Sequence, residues 1–261
     1  MESKNAMKIK TFLNNSEFIA GMTMRDENEA ESGNMALHAC LNTEDIVKNR
    51  MRLADFLNCR LDDFVCSCQS HNPNHYKVTL ADKGRGSDTM STAIPDNDAL
   101  YTYEPDIVLC CFTADCVPVV FYNEETGLIG VIHSGWKGTV QEITPKTFRH
   151  LMESEECNPV NVNVYIGAAL SREKFEVDQD VYEKFKALGY ADDFISRNDK
   201  TGKYHIDNQL VVKKQCELSG VAADRIATDR TCTYASSGGF SYRQDKSCGR
   251  HLAFIMKKGG R

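Results

Sequence analysis

The chain has 261 residues, 41% of them apolar and 26% charged, which is enough to bury a sizeable core and excludes a disordered protein. A formal net charge of −6 leaves no basic footprint, so neither nucleic acid nor an anionic membrane surface is expected as a partner. No run approaches the roughly 18 apolar residues that span a bilayer, and the opening MESKNAMKIKTFLNN lacks an apolar signal core, so the expected location is the cytoplasm.

In chain order, residues 17–24 read as a strand, followed by a polar loop over 25–33 that is a candidate mobile flap. Thr43–Leu57 reads as an amphipathic helix, with Thr43 as its cap and Glu44 and Asp45 at its start. Residues 76–80 are a further strand, and the polar, Gly-containing stretch 83–98 is a long surface loop. The apolar runs 106–112, 117–122 and 128–132 are rich in Val and Ile, as buried central strands of one core sheet would be. Beyond them 140–153 and 179–188 look helical, 160–166 strand-like, and 208–219 helical with Gly220 as its stop. There is no repeat, low-complexity tract or linker, so a single domain over residues 1–261 is expected. Strands and helices mixed without regular alternation point to an α/β or α+β layered fold.

The cysteines number eleven, an odd count in a chain with no export signal, so most are expected to be free thiols. Cys66, Cys68, Cys110 and Cys111 lack paired zinc-knuckle spacing and read as buried small hydrophobes. Cys116 differs, because it lies in the segment 112–139, FTADCVPVVFYNEETGLIGVIHSGWKGT, whose two apolar strands suggest an antiparallel hairpin. If Tyr122 faces Leu128, then Val117 faces His133 and Cys116 lies beside Ser134, at the open end. A thiolate and an imidazole side by side there are either a nucleophile with its base or two ligands of one metal. A third ligand would favour the metal, and His71 in CSCQSHNPNHY is the candidate, with His75 as its competitor.

The blocks TADCVPVVF, HSGWKGT and CTYASSGGFSYRQDKSCGR resemble the signature blocks of the laccase-domain family, the multicopper polyphenol oxidoreductases, also described as purine nucleoside phosphorylases. The resemblance runs from MALHACLNTEDIVKNR to the last strand, and it implies two packed sheets with helices outside. It places the family's metal-binding histidines on His71 and His133 and its cysteine on Cys116, with zinc as the expected metal and copper as the alternative. It also implies phosphorolysis of adenosine, inosine, guanosine and methylthioadenosine, together with deamination of adenosine. A nucleoside and phosphate are then the expected small-molecule partners.

For the phosphate, Arg243 and Arg50 are the preferred anion-binding candidates and Lys137 the next, since guanidinium groups suit bidentate oxyanion recognition. Arg85 lies between two glycines that would let backbone approach a ligand. Asp115 is a candidate to orient a ligand histidine or to cap a turn, and Trp136 reads as core packing. Two places depart from the family pattern. Lys137 stands where the family has arginine, and IGAALSREKFEV at 166–177 lacks a proline and a cysteine usual there.

Three other functions compete. A copper polyphenol oxidase would need about ten histidines in paired motifs, against the seven here, unless His75, His38 or Cys111 supplied extra ligands. A metal-free cysteine hydrolase would use Cys116 and His133 with Asp115 or Asn163 as the orienting group. A non-catalytic binding module would leave the polar residues at the strand ends unexplained.

Overall fold

The computed structural model describes residues 7–259. Its elements begin with β1 (Ile9–Asn14), β2 (Phe18–Thr23), α1 (Thr43–Leu57), β3 (Phe64–Val65), β4 (His75–Lys77) and β5 (Ala99–Thr102). There follow β6 (Val108–Thr113), β7 (Val117–Asn123), β8 (Leu128–Ser134), α2 (Trp136–Val140), α3 (Ile143–Ser154) and β9 (Asn163–Ile166). The rest are β10 (Glu176–Val177), α4 (Gln179–Lys186), β11 (Ile195–Arg197), β12 (Tyr204–Ile206), α5 (Asn208–Leu218), β13 (Ile226–Thr228) and β14 (His251–Lys257).

Two mixed sheets lie face to face, as the resemblance implied. One has five strands in the order β1-β2-β14-β6-β3 and the other six, β13-β9-β7-β8-β5-β4. Their facing sides bury Phe18, Met22, Leu109 and Ile255 against Val120, Ile129 and Val131. The outer side of the five-stranded sheet packs Phe64, Phe254 and Met256 against Leu53 and Leu57 of α1. The outer side of the six-stranded sheet carries Phe121 and Ile132 against Phe148 and Leu151 of α3 and Val212 and Cys216 of α5. This is a helix–sheet–sheet–helix sandwich, in which each sheet has both faces covered, so its strands read as continuous apolar runs. A third, antiparallel sheet, β10-β12-β11, forms a smaller unit with α4 around Phe175, Phe185 and Ile206.

The three apolar runs expected in one sheet divide between two: β6 joins the five-stranded sheet, and β7 and β8 the six-stranded one. The switch occurs at the turn between β6 and β7, where Asp115 adopts φ +85°. The hairpin register also differs by one residue from expectation, because Asn123 pairs with Leu128 and Pro118 with His133. The loop is one residue tighter than expected: the Asn123 side chain accepts from the amides of Glu125 and Thr126, and Gly127 closes the turn at φ +74°. A one-residue shift exchanges faces. In the observed register Cys116, two residues before Pro118, falls on the face of His133, whereas the expected register put them on opposite faces.

Smaller corrections have local causes. Asn42, not Thr43, caps α1, accepting from the Glu44 amide at 3.0 Å. The helix expected over 140–153 is broken at Glu142, whose φ of +59° separates α2 from α3. The stretch 83–98 is not wholly at the surface, since Ser87, Ile94 and Asp98 are buried. The cysteines are free, and Cys66, Cys110 and Cys111 are buried. Among the described residues no helix is long and apolar enough to cross a membrane.

Candidate metal centre and its cavity

His71, Cys116 and His133 come from three different parts of the fold and offer ligand atoms that all lie within 4.8 Å of one another. His133 ends β8 and Cys116 precedes β7, so the hairpin fixes both. His71 is delivered by the loop before β4, at φ +62°. Gln69 anchors that loop by pairing its side-chain amide with the Phe112 backbone, donating to the carbonyl and accepting from the N–H, both at 2.8 Å. The His71 and His133 rings stand edge to face, with centroids 4.8 Å apart.

Asp98, at the mouth of β5, organises the group. Its carboxylate meets His133 Nδ1 at 2.6 Å and accepts from the amides of Ser70, His71 and Asn72 at 2.9, 3.1 and 3.2 Å. Its backbone carbonyl takes the His133 N–H at 2.7 Å. Burial pushes the Asp98 carboxyl up, but the His133 bond and the amides hold it below its ordinary value. With Nδ1 so engaged, His133 presents Nε2 to the group, the usual way a carboxylate orients a metal-binding histidine.

Burial would raise the Cys116 thiol, but the charge of His133 and bonds from both histidines bring it down to about 6. Burial disfavours the imidazolium of His133, while Cys116 and Asp98 raise its pKa. The donor set therefore contains a ready thiolate. Two imidazoles and a thiolate fit a soft or borderline transition metal held by three protein ligands, with the remaining side towards the cavity. Gly135, next after β8, leaves room for them: a Cβ there would stand 2.9 Å from both Cys116 Sγ and His71 Cδ2. The first glycine of HSGWKGT is thus a steric requirement of the centre.

The group lines a cavity of about 840 Å³. One wall comes from the small unit, with Leu170, Phe175, Val177 and Val181, and another from Tyr242, Arg243 and Arg250. Trp136 and Lys137 lie on the lining, so Trp136 is not the core residue expected but half-buried against the cavity.

Asp115 lines the cavity, but its carboxylate holds the C-terminal loop, accepting from Thr233 Oγ1 and the Arg243 amide, each at 2.7 Å. Arg243 lines the cavity and turns its guanidinium to the carbonyls of Glu176 and Lys174, at 2.9 and 3.4 Å. Arg50 is fully buried and donates to the carbonyls of Met35, Gly86 and Ser87, outside the cavity lining. Arg85 pairs with Asp82 at 3.0 Å, also away from the lining. His75 packs against His150, with centroids 4.2 Å apart, and does not join the ligand group. Asn163 lies in β9, outside the lining. Asp98 was missed because it closes a stretch read as surface loop; the apolar run ALYT directly after it was the available signal of a strand mouth.

Residues 20–258 match the family described as multi-copper polyphenol oxidoreductase laccase. The chain is 34% identical to purine nucleoside phosphorylase YlmD of Bacillus subtilis over 95% of this chain and 92% of the relative. A purine nucleoside phosphorylase of Bacteroides thetaiotaomicron is 33% identical over 82% of this chain and 80% of its own. The crystal structure of YlmD from Geobacillus stearothermophilus superposes with a TM-score of 0.88 at 32% identity, covering 94% of this chain and 93% of that one.

Proposed function

The chain belongs to the multi-copper polyphenol oxidoreductase laccase family, and we propose that it is a metal-dependent purine nucleoside phosphorylase that also deaminates adenosine. Adenosine, inosine, guanosine and methylthioadenosine are the substrates assigned to it. The observation that carries this reading is the group His71, Cys116 and His133 on the lining of a cavity of about 840 Å³, in a chain whose relatives bear the phosphorylase name. Zinc held by the three residues, with copper as the alternative occupant, would supply a Lewis acid that polarises the purine or a water molecule.

The chain's own residues do the rest. Asp98 fixes the tautomer and direction of His133. Phe175, Val177 and Val181 offer apolar surface that excludes water from a bound nucleoside, and Trp136 offers an aromatic surface for the base. Lys137, over the Trp136 ring, and Arg243, over the Phe175 ring, are cations of the lining and serve oxyanion recognition, whereas Arg50 and Arg85 lie outside it. In phosphorolysis a phosphate oxygen bonds to the ribose C1′ while the C1′–N9 bond breaks and its electron pair leaves with the base. Confining both partners in one cavity supplies the proximity that this step needs.

The test is adenosine with and without inorganic phosphate. Adenine and ribose 1-phosphate are expected only with phosphate, and inosine with ammonia in either case. His133→Ala should remove the metal and both activities together. A variant that lost metal and kept phosphorolysis would overturn the shared role of the centre.

A further inference from the structure

A second chamber of about 520 Å³ adjoins the metal cavity, with His38 and Arg250 lining both. Its walls carry three cations, Arg25, Lys246 and Arg250, and two carboxylates, Glu31 and Asp245. The carboxylates are committed to local donors. Glu31 accepts from the amides of Leu41 and Asn42 at 2.8 and 2.6 Å and from the Asn34 side chain at 3.0 Å. Asp245 accepts from the Ser247 amide and hydroxyl at 2.9 and 2.6 Å.

The cations are less well matched. Arg250 meets the carbonyls of Cys248 and Gly249, the Cys248 sulfur and the Tyr242 ring, and Arg25 reaches Glu27 only at 3.5 Å. Among the described residues no ion pair involves Arg250 or Lys246. Behind Phe112, which lines the metal cavity, lies the guanidinium of Arg50, fully buried, 4.9 Å from that ring and with Nη2 unpartnered. A buried cation without a carboxylate adds its field to its neighbours', and low-dielectric walls focus that field into the adjoining space.

We propose that this second chamber is a binding site for a phosphoryl group, gripped by Arg250 at the junction and by Arg25 and Lys246 on the outer wall. Two sources share this chemistry. One is free inorganic phosphate, held beside the metal cavity; the other is the phosphate of a phosphorylated nucleoside whose base occupies that cavity. Guanidinium groups with unspent N–H donors suit either, and Arg250, on the lining of both spaces, is placed to meet a phosphoryl group carried by a ligand of the metal cavity. The second source rests on the nucleoside reading given above; the first requires only the chamber.

The experiment is calorimetric titration of the full-length, metal-loaded protein with inorganic phosphate, adenosine and adenosine 5′-monophosphate, comparing wild type with Arg25→Glu/Lys246→Glu. Lys184→Glu/Lys200→Glu, which makes the same charge change at exposed positions outside the chamber, is the control. At low salt the chamber variant should bind phosphate or the monophosphate about tenfold more weakly or worse, with adenosine unchanged and the control as wild type. Weakening of the monophosphate alone identifies the nucleoside-borne group, and weakening of both identifies a general oxyanion site. Equal affinities in wild type and variant, or equal loss in the control, would overturn the proposal. Absent adenosine binding with phosphate binding retained would count against the nucleoside reading and leave the chamber standing.

Discussion

The Asp98 carboxylate stands 2.6 Å from Nδ1 of His133 and, through the amides of Ser70, His71 and Asn72, also holds the loop that carries His71. One buried side chain thus sets two of the three candidate ligands. Asp98→Asn keeps the volume but turns an amide donor towards groups that need an acceptor. Metal affinity, read by chelator competition, is expected to fall roughly 10- to 100-fold. Unchanged affinity would show that the ligand loop is positioned without Asp98.

Gly135→Ala tests the space around the ligands. The backbone there, at φ −66° and ψ 164°, suits any residue, so the substitution adds no conformational strain. Its methyl group would stand 2.9 Å from Cys116 Sγ and His71 Cδ2. Metal content should drop while circular dichroism and melting temperature stay near those of metal-stripped wild type. A variant that loads metal normally would contradict the crowding.

Arg50→Ala is expected to act on the fold. The guanidinium ties Met35, Gly86 and Ser87 together through their carbonyls, and its loss orphans three buried acceptors. Destabilisation of about 3 kcal/mol or more is expected in urea denaturation. A variant of normal stability that had lost only substrate affinity would instead make Arg50 a ligand-binding residue.

His251 makes stability fall in acid. It is fully buried, pairs Nδ1 with the Thr23 carbonyl at 2.8 Å and accepts the Phe240 amide on Nε2 at 2.7 Å, so the neutral tautomer is fixed. Burial lowers its pKa from the ordinary 6.5 to about 4. The unfolded chain therefore binds the proton first, and the stabilising contribution, complete above pH 6.5, is lost as pH falls towards 4. Between pH 6.5 and 5 the loss from this group is roughly 2 kcal/mol. His251→Gln should flatten that slope in denaturation at several pH values; an unchanged slope would assign it elsewhere.

The strands of the central hairpin were legible because both faces of their sheet are covered, which leaves continuous apolar runs such as VPVVFY. Their register was not, since it depends on the bonds that the Asn123 side chain makes inside the turn. The passage of β6 into the other sheet was hidden for a similar reason, as it turns on the backbone of Asp115. His71, Cys116 and His133 were named from motifs, but the sequence could not show Asp98 closing on them, because that contact joins residues far apart in the chain. The second chamber was equally hidden: Arg250 and Lys246 sit in a C-terminal block read for its family likeness, and only the fold brings them opposite Arg25.

The most direct measurement is metal content per chain, taken together with adenosine phosphorolysis on the same sample, as purified, after stripping and after reloading. About one metal ion per chain is expected, with adenine released only when phosphate is present and an activity that disappears on stripping and returns on reloading. Several coppers per chain with oxidation of a phenol and no release of adenine, or phosphorolysis that survives stripping, would contradict this expectation.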